Sequence, residues 1–213
     1  MAKAQAAEPI EGPGGTHSTV HVHAKAIRRG AGPSDAALVV AARAGERWAQ
    51  EALFRRHARM VNGLAYRLLG RDDELDDLVQ DAFVAALGSL ERLQDPAAFK
   101  SWLGSIVVRT VHKRLRHRSM LTRLGLRRGQ TGDPDLALSR QAPPELAAEL
   151  SVLYAALERF PADVRVATVL HRVEGMNVAE IAERMGVSAS TVKRRLADGQ
   201  RRLSALRGEG GEG

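Results

Sequence analysis

Six basic side chains lie close together near the C-terminus, at Lys193, Arg194, Arg195, Arg201, Arg202 and Arg207. Only one acidic residue, Asp198, lies among them, so residues 188–207 have a local net charge of 6 − 1 = +5. Lysine and arginine at this density bind nucleic acid by displacing the counterions that condense on phosphate. The chemistry that this segment indicates is electrostatic binding of a polyanion.

The residues around this basic segment have the spacing of a helix-turn-helix that begins at Val178. The fifth, ninth and fifteenth residues of the motif are Ala182, Gly186 and Val192. A small fifth residue lets two helices cross closely, a glycine takes the left-handed turn, and a branched apolar residue packs into the core. Ser188 is then predicted to cap the second helix.

The same pattern predicts which side of the second helix faces DNA. Apolar or small residues at helical spacing form its inward face, at Val192, Leu196, Gly199, Leu203 and Leu206. The outward face then carries Ser190, Lys193, Arg194 and Ala197. Outward residues at the start of such a helix reach base edges in the major groove, while basic side chains and hydroxyls hold phosphate.

Two further charged segments lie earlier in the chain. Residues 72–81 contain six acids and no base, whereas residues 109–118 contain five bases and no acid. Each segment alone is typical of a solvated helix face. Together they favour a nucleic acid on one side of the domain and a basic protein on the other.

The chain is predicted to be all-α, with two small helical domains joined by a flexible linker. Helical apolar spacing predicts the first domain over residues 34–118 and the second over residues 145–207. Segments rich in glycine, proline or polar residues flank them: a disordered extension at residues 1–33, the linker at residues 119–144 and a disordered tail at residues 208–213.

Apolar stripes and turn residues predict where the helices begin and end. In the first domain, one helix ends at Gly70, one spans about residues 73–92, and one runs from near Pro96 towards Arg118. In the second domain, the predicted helices lie near residues 145–159, 162–174, 178–185 and 189–206.

Composition excludes several classes of function. The 213 residues contain no cysteine, which excludes disulfide scaffolds and thiolate chemistry. No apolar run approaches the about 18 residues that cross a bilayer, and no secretory signal is recognisable, so we expect a cytoplasmic protein without membrane insertion. The net charge of +7 favours a polyanionic partner. We expect no catalytic residue, no metal and no cofactor.

Two sets of short motifs resemble the extracytoplasmic-function (ECF) sigma factors of bacterial RNA polymerase. Residues 157–161, 170–175, 179–183 and 190–196 resemble sigma domain four in order and spacing. Asp77–Phe83, followed by Phe99–Leu103, resembles sigma domain two. Either block alone is weak evidence, but both in this order are specific.

The resemblance implies core RNA polymerase and promoter DNA as partners, and an anti-sigma factor as a third. Domain two would bind the clamp helices of the largest polymerase subunit, and domain four the flap of the second-largest. The implied polymerase contacts are Asp76, Asp77, Leu78, Gln80 and Asp81. The implied minus-10 contacts are Leu93, Gln94, Lys100, Ile106, Arg109, His112, Lys113 and Arg116. The implied minus-35 contacts are Ser188, Ser190, Thr191, Lys193, Arg194, Arg195, Ala197, Asp198 and Arg201.

The function implied is that of a non-enzymatic initiation factor, which brings polymerase to both promoter elements and promotes melting. The residues alone leave open a helix-turn-helix repressor or activator that acts without polymerase, as a dimer on a palindromic site. A nuclease with magnesium ligands among residues 72–81 is a weaker alternative, because those acids crowd one face and no phosphate-binding loop accompanies them.

Three positions depart from the family pattern. Arg109 stands where an asparagine is common in the family, and Asp198 stands where an arginine is common. The DNA sequences preferred at the minus-10 and minus-35 elements can therefore differ from those of other family members. Asp198 would repel phosphate unless Arg194, Arg195 or Arg201 neutralises it. Gly199 replaces a usual alanine, which costs helix stability up to about 1 kcal/mol but allows a closer helix approach.

Overall fold

The computed structural model describes residues 32–70, 74–126 and 153–209, and these ranges contain helices and turns but no strand. The elements are α1 (Asp35–Arg43), α2 (Arg47–Leu69), α3 (Leu75–Leu87), two 3-10 helices (Leu90–Arg92 and Pro96–Ala98), α4 (Phe99–Arg123), α5, described over residues 153–158, α6 (Ala162–Arg172), α7 (Val178–Met185) and α8 (Ala189–Glu209). The all-α prediction is confirmed for these ranges. The predictions for residues 1–31, 72–73, 127–152 and 210–213 lie outside the described residues, and these include the start of the helix predicted near residues 145–159. The disordered tail predicted from residue 208 was wrong for residues 208–209, because α8 continues to Glu209.

Helices α1 to α4 pack around an aliphatic core that includes the fully buried Leu53 and Leu103. The predicted end of α2 at Gly70 is confirmed: Gly70 has a φ of 68°, and its N–H donates to the Tyr66 carbonyl. Glycine takes this left-handed conformation without the steric cost of a Cβ, which is why the helix stops here.

α3 is shorter than the predicted span of about residues 73–92. It ends at Leu87, and the chain continues into the 3-10 helix Leu90–Arg92. Arg43 of α1 fixes this turn, because its guanidinium donates to the carbonyls of Leu90, at 2.9 Å, and Leu93. The contact comes from a distant helix, so local periodicity could not reveal it.

α4 runs to Arg123, beyond the predicted linker boundary at residue 118. The apolar period fades at that boundary, but polar and basic residues sustain a helix as well as apolar ones do. The helix stops before Gly125, which has a φ of 68°. The predicted boundary at residue 119 was therefore wrong, because the last turn of α4 follows it.

α7 and α8 form the predicted helix-turn-helix. Gly186, between them, has a φ of 64°, as its ninth position in the motif requires. The Ser188 hydroxyl accepts a hydrogen bond from the Thr191 amide at 3.3 Å, which confirms the predicted cap. Val192 is fully buried. Leu196 and Leu203 pack partly buried against the same core, so the described part of the inward face is confirmed.

α8 lies especially close to α6 at Gly199. A Cβ added there would stand 2.3 Å from the Thr168 hydroxyl oxygen, closer than real Cβ contacts. The predicted closer approach at this glycine is confirmed. It sets the distance between α8 and α6, the helix that supports it.

The helices of the two predicted domains also contact each other. α4 packs against α6 and α7, and α2 packs against α6. Arg165 of α6 is 3% exposed and donates to two carbonyls at the C-terminal end of α2, those of Leu68 at 3.1 Å and Leu69 at 2.5 Å. A cation is favourable there because the last helix carbonyls lack partners and carry the negative end of the dipole.

Candidate nucleic-acid interface

The first half of α8 presents polar and basic side chains to solvent. Ser188, Ser190, Lys193, Arg194 and Ala197 are exposed, and so the predicted outward face is the exposed one. Among the described residues, no carboxylate pairs with Lys193 or Arg194. These two cations therefore need no rearrangement within the described chain to reach a phosphate.

Arg195 differs from these neighbours because it faces α6. Its side chain is 15% exposed, and its Nη2 lies 2.9 Å from Asp163 Oδ2. Asp198 pairs within α8, with Arg201 at 3.2 Å and Arg202 at 3.1 Å. The hydrogen bond from Arg202, and then the one from Arg201, lower the pKa of Asp198 below its ordinary value. Of the three neutralising partners considered from sequence, Arg201 is the one observed.

A second basic surface follows the exposed side of α4. Arg109, Lys113 and Arg116 lie one turn apart along it and are exposed, as is Lys100 at its start. His112 is not part of this surface: its side chain is 22% exposed and faces α6. Gln94, in the turn before α4, is exposed as well.

Three of the residues implied by the family pattern lie in the core. Leu78 is fully buried, Leu93 is 4% exposed and Ile106 is 6% exposed. Burying such a side chain favours folding by about 1.5–3 kcal/mol, so it is not readily turned outward. In this structure they are part of the core on which their exposed neighbours are mounted.

The acidic surface lies on α3. Asp76, Asp77, Gln80 and Asp81 are exposed. Asp81 lies 3.0 Å from Arg114 of α4, in a pair that is itself largely open to water. Asp76 and Asp77 stand in the first helical turn, where the dipole stabilises negative charge.

Apolar side chains accompany this acidic surface. Val84 of α3 is 64% exposed, and Phe54 of α2 is 42% exposed. The Phe54 ring contacts that of Phe83 on α3, with centroids 4.6 Å apart. Acidic and apolar groups side by side suit a protein partner that offers basic and apolar groups in return.

One carboxylate, Asp163 of α6, joins the two basic helices. It accepts a hydrogen bond from His112 of α4 through Oδ1 and pairs with Arg195 of α8 through Oδ2. Burial raises the pKa of Asp163, but the His112 hydrogen bond and the charges of Arg195 and Arg116 outweigh it and lower the pKa below its ordinary value. The carboxylate is therefore ionised at neutral pH.

The residues that fasten the helices of the two predicted domains together are not indicated by any sequence pattern. Besides Arg165 and Asp163, they are two ion pairs, Arg118 with Glu158 at 3.2 Å and Arg67 with Glu174, whose Nη2 and Oε2 lie 3.2 Å apart. The partners are separated by at least 40 residues in the chain, so no local spacing signals them.

Within the described ranges, neither a metal-binding cluster nor a membrane-spanning helix is found. No group of three or more histidine, aspartate or glutamate side chains is placed to hold a metal ion. Nor does any helix there combine the length and the apolar character that crossing a membrane requires.

Known proteins match both parts of the chain. The family model Sigma-70 region 2 matches residues 53–120, and the model Sigma-70, region 4 matches residues 150–203. The ECF RNA polymerase sigma factor SigM of Mycobacterium tuberculosis is 35% identical over 175 residues, which cover 82% of this chain and 85% of SigM. The RNA polymerase sigma factor CarQ of Myxococcus xanthus is 31% identical, over 78% of this chain and 94% of CarQ.

Solved structures share the helix arrangement. CnrH in complex with the cytosolic domain of CnrY matches with a TM-score of 0.53 and 26% identity, over 83% of this chain and 99% of the matched chain. The sigma factor RpoE, solved with the anti-sigma factor NepR from Bartonella quintana, matches in fold with a TM-score of 0.51, over 73% of this chain and 94% of the matched chain. Motifs, helices and relatives agree, and the chain belongs to the ECF RNA polymerase sigma factors, the proteins that direct polymerase to specific promoters.

Proposed function

We propose that this sigma factor divides its work among three helices: α3 binds core polymerase, α8 reads the minus-35 element and α4 meets the minus-10 element as it melts. The observation that carries the proposal is the separation of charge. Exposed acids lie on α3, whereas exposed bases lie on α4 and α8. Opposite charges on different helices suit two partners that must be held at once.

The DNA contacts are assigned by exposure. On α8, Ser190, Lys193 and Arg194 are placed to reach base edges and phosphates in the major groove. On α4, Arg109 and Lys113 are placed to hold the phosphates of the strand that separates. Promoter melting is then driven by binding free energy, because contacts to single-stranded DNA offset the few kcal/mol that unstacking a base costs.

The polymerase contacts are assigned to the acidic surface and its apolar margin. Asp76, Asp77 and Gln80 supply the polar part, and Val84 and Phe54 supply exposed apolar area. The clamp helices of the largest subunit are the partner proposed for this face, and the flap of the second-largest subunit is the partner proposed for the helices of the second domain.

The proposal includes a cytoplasmic location and an anti-sigma partner. The proposed role in transcription supports the cytoplasmic location, because the polymerase and the promoter DNA are found there. CnrH, which this chain resembles at 26% identity, was solved with the cytosolic domain of CnrY, and an anti-sigma factor is the partner we propose here.

The test is capture of core polymerase by the purified full chain. The variant Asp77→Lys/Gln80→Lys reverses the acidic surface and leaves the Asp81–Arg114 pair intact. We expect it to lose core binding, because two lysines would face a basic partner.

A matched control is Glu91→Lys/Ala44→Lys, which adds the same charge at exposed positions away from α3. It should bind core as the parent does. Both variants must retain the helical circular dichroism of the parent. Normal capture by the folded α3 variant would reject the docking face.

A further inference from the structure

The loop before α4, residues 88–98, is held by a cation of α1. The Arg43 guanidinium donates to the Leu90 carbonyl through Nε at 3.1 Å and through Nη2 at 2.9 Å, and it also donates to the Leu93 carbonyl. Hydrogen bonds from a charged donor are roughly twice as strong as neutral ones. A single side chain thus fixes the loop backbone at both Leu90 and Leu93.

α1 is itself attached to the rest of the first helix group. Its apolar side is buried in the core. At its start, Asp35 pairs with Arg56 at 2.8 Å and with His57 at 2.9 Å. α1 also packs against the 3-10 helix Pro96–Ala98 of the loop. Because α1 is anchored at its start and along its buried side, Arg43 at its end is a fixed support for the loop.

Gln94 lies between two supported points of this loop. The Leu93 carbonyl before it accepts a hydrogen bond from Arg43, and the Asp95 carboxylate after it accepts one from the Ala97 amide at 2.9 Å. The Gln94 side chain is exposed. Its backbone is therefore held on both sides, while its amide group stays open to a partner.

The Gln94 amide differs from the other exposed groups of the proposed minus-10 surface. Lys100, Arg109 and Lys113 are cations, which hold phosphate without regard to base sequence. An amide is neutral and offers both a donor and an acceptor, so it can hydrogen-bond the edge of a base. Such a bond depends on angle as well as distance, so the amide reads a base only where its backbone is well placed.

We propose that Arg43 is a positioning residue for the minus-10 element: it holds the loop before α4 so that Gln94 meets a base of the separated strand. This inference rests on the proposed function, because it places the minus-10 element along α4. Arg43 acts through Gln94 and does not itself contact DNA. Without Arg43 the loop would have to be ordered when the correct base binds, and this ordering would weaken the binding of that base.

The test measures base discrimination by the holoenzyme formed from core polymerase and the full chain. Two single-stranded oligonucleotides are the probes. One carries the minus-10 sequence of a promoter mapped by run-off transcription, and the other carries the same segment with purines and pyrimidines exchanged. The ratio of the two affinities reports how well the minus-10 bases are read. We expect Arg43→Met, which keeps much of the side-chain length but removes the donors, to lower this ratio by about three- to tenfold.

Two matched variants separate positioning from a loss of charge. Arg59→Met removes the same charge from an exposed position of α2 and should keep the ratio within about twofold of the parent. Arg43→Lys restores a charged donor and should recover part of the ratio. Core capture and binding of a duplex that contains only the minus-35 element should stay at the parental level in every variant, whereas a general loss of structure would lower both.

A double-variant cycle shows whether Arg43 acts through Gln94. Gln94→Ala should lower the ratio as Arg43→Met does. The double variant should be no worse than either single one, because the second change removes a contact that is already lost.

Asp95→Ala covers the case in which Arg43→Met weakens the packing of α1. It removes the hydrogen bond to the Ala97 amide on the other side of Gln94 and leaves α1 unchanged. It should lower the ratio too, while thermal unfolding shows that the helices remain folded.

The inference is overturned if folded Arg43→Met and Asp95→Ala both keep the ratio of the parent, or if the effects of Arg43→Met and Gln94→Ala simply add. Loss of discrimination in Gln94→Ala alone would leave the minus-10 role in place and reject the part assigned to Arg43. A parent holoenzyme that binds both oligonucleotides equally would contradict the proposed minus-10 role itself, and the inference with it.

Discussion

At the scale of single residues, the basic side chains of α8 are of two kinds. Lys193 and Arg194 are exposed and unpaired among the described residues, whereas Arg195 is committed to Asp163. An exposed cation that binds a phosphate displaces counterions from the DNA without losing any contact of its own. A paired cation must first break its ion pair. Substituting Lys193 or Arg194 should therefore change DNA binding in a different way from substituting Arg195.

Lys193→Ala should weaken the promoter complex and reduce its salt slope by about one ion, because one phosphate contact is lost. The measurement is promoter affinity of the polymerase holoenzyme over a range of salt concentrations. Arg59→Ala, at an exposed position of α2, is the control and should leave the slope unchanged. An unaltered slope for Lys193→Ala would remove it from the phosphate contacts.

The pKa of Asp163 can be measured by carbon-13 NMR of its carboxyl group. We expect it below the ordinary 3.8, and we expect Arg195→Gln to raise it. Because the folded pKa is the lower one, these ion pairs stabilise the packing of α6 against α4 and α8 above pH 3.8, and this contribution is lost as the pH falls through the lowered pKa. Asp198, whose pairs are with Arg201 and Arg202, should titrate as before in that variant. A pKa of Asp163 at or above 3.8 would contradict the ion-pair network.

At the scale of helices, the placement of α8 depends on its contact with α6. Gly199 allows this contact because the Thr168 hydroxyl fills the space that a Cβ would need. That hydroxyl is buried and makes no hydrogen bond among the described residues, so it contributes shape rather than polar bonding. α8 is therefore held at a distance from α6 that one glycine sets.

Gly199→Ala should destabilise the second helix group by about 1–2 kcal/mol, since overpacking costs more than the alanine gains in helix propensity. Thermal unfolding followed by circular dichroism measures the change. The double variant Thr168→Ala/Gly199→Ala removes the hydroxyl and should recover part of the loss. Equal melting temperatures for the parent and Gly199→Ala would show that the helices do not approach as closely as described.

Helix ends could be predicted where a single residue decides them, and not elsewhere. Gly70 and Gly186 take left-handed conformations that only glycine adopts readily, so their positions in the sequence located two helix ends. The end of α3 depends instead on Arg43, a residue of another helix. Apolar spacing placed Ile106 on the buried face of α4, whereas the family motif assigned it to the minus-10 contacts, because a motif records the position of a residue and not the direction of its side chain.

At the scale of the whole molecule, Arg165 connects the stability of the two helix groups. It is 3% exposed and donates to the carbonyls of Leu68 and Leu69. Contacts of this kind, like the pair of Asp163 with His112, join residues far apart in the chain. The sequence predicted each helix group from local periodicity, but it contained no local sign of the interface between them.

Arg165→Met should destabilise the chain by about 1–3 kcal/mol, because two buried carbonyls lose their donor. It should also uncouple the two helix groups, so that a single thermal transition becomes two. Arg159→Met, at an exposed position, is the control and should melt as the parent does. Calorimetry makes the measurement. An unchanged single transition in Arg165→Met would show that the interface does not couple the groups.

The role of this ECF sigma factor is to bring core RNA polymerase to promoters. Run-off transcription with purified core polymerase, using DNA from the genomic neighbourhood of the chain's own gene as template, tests it most directly. We expect start sites that appear only when the chain is added and that vanish with Asp77→Lys/Gln80→Lys. Failure to start transcription, together with binding of a palindromic duplex by a dimer of the chain alone, would contradict it.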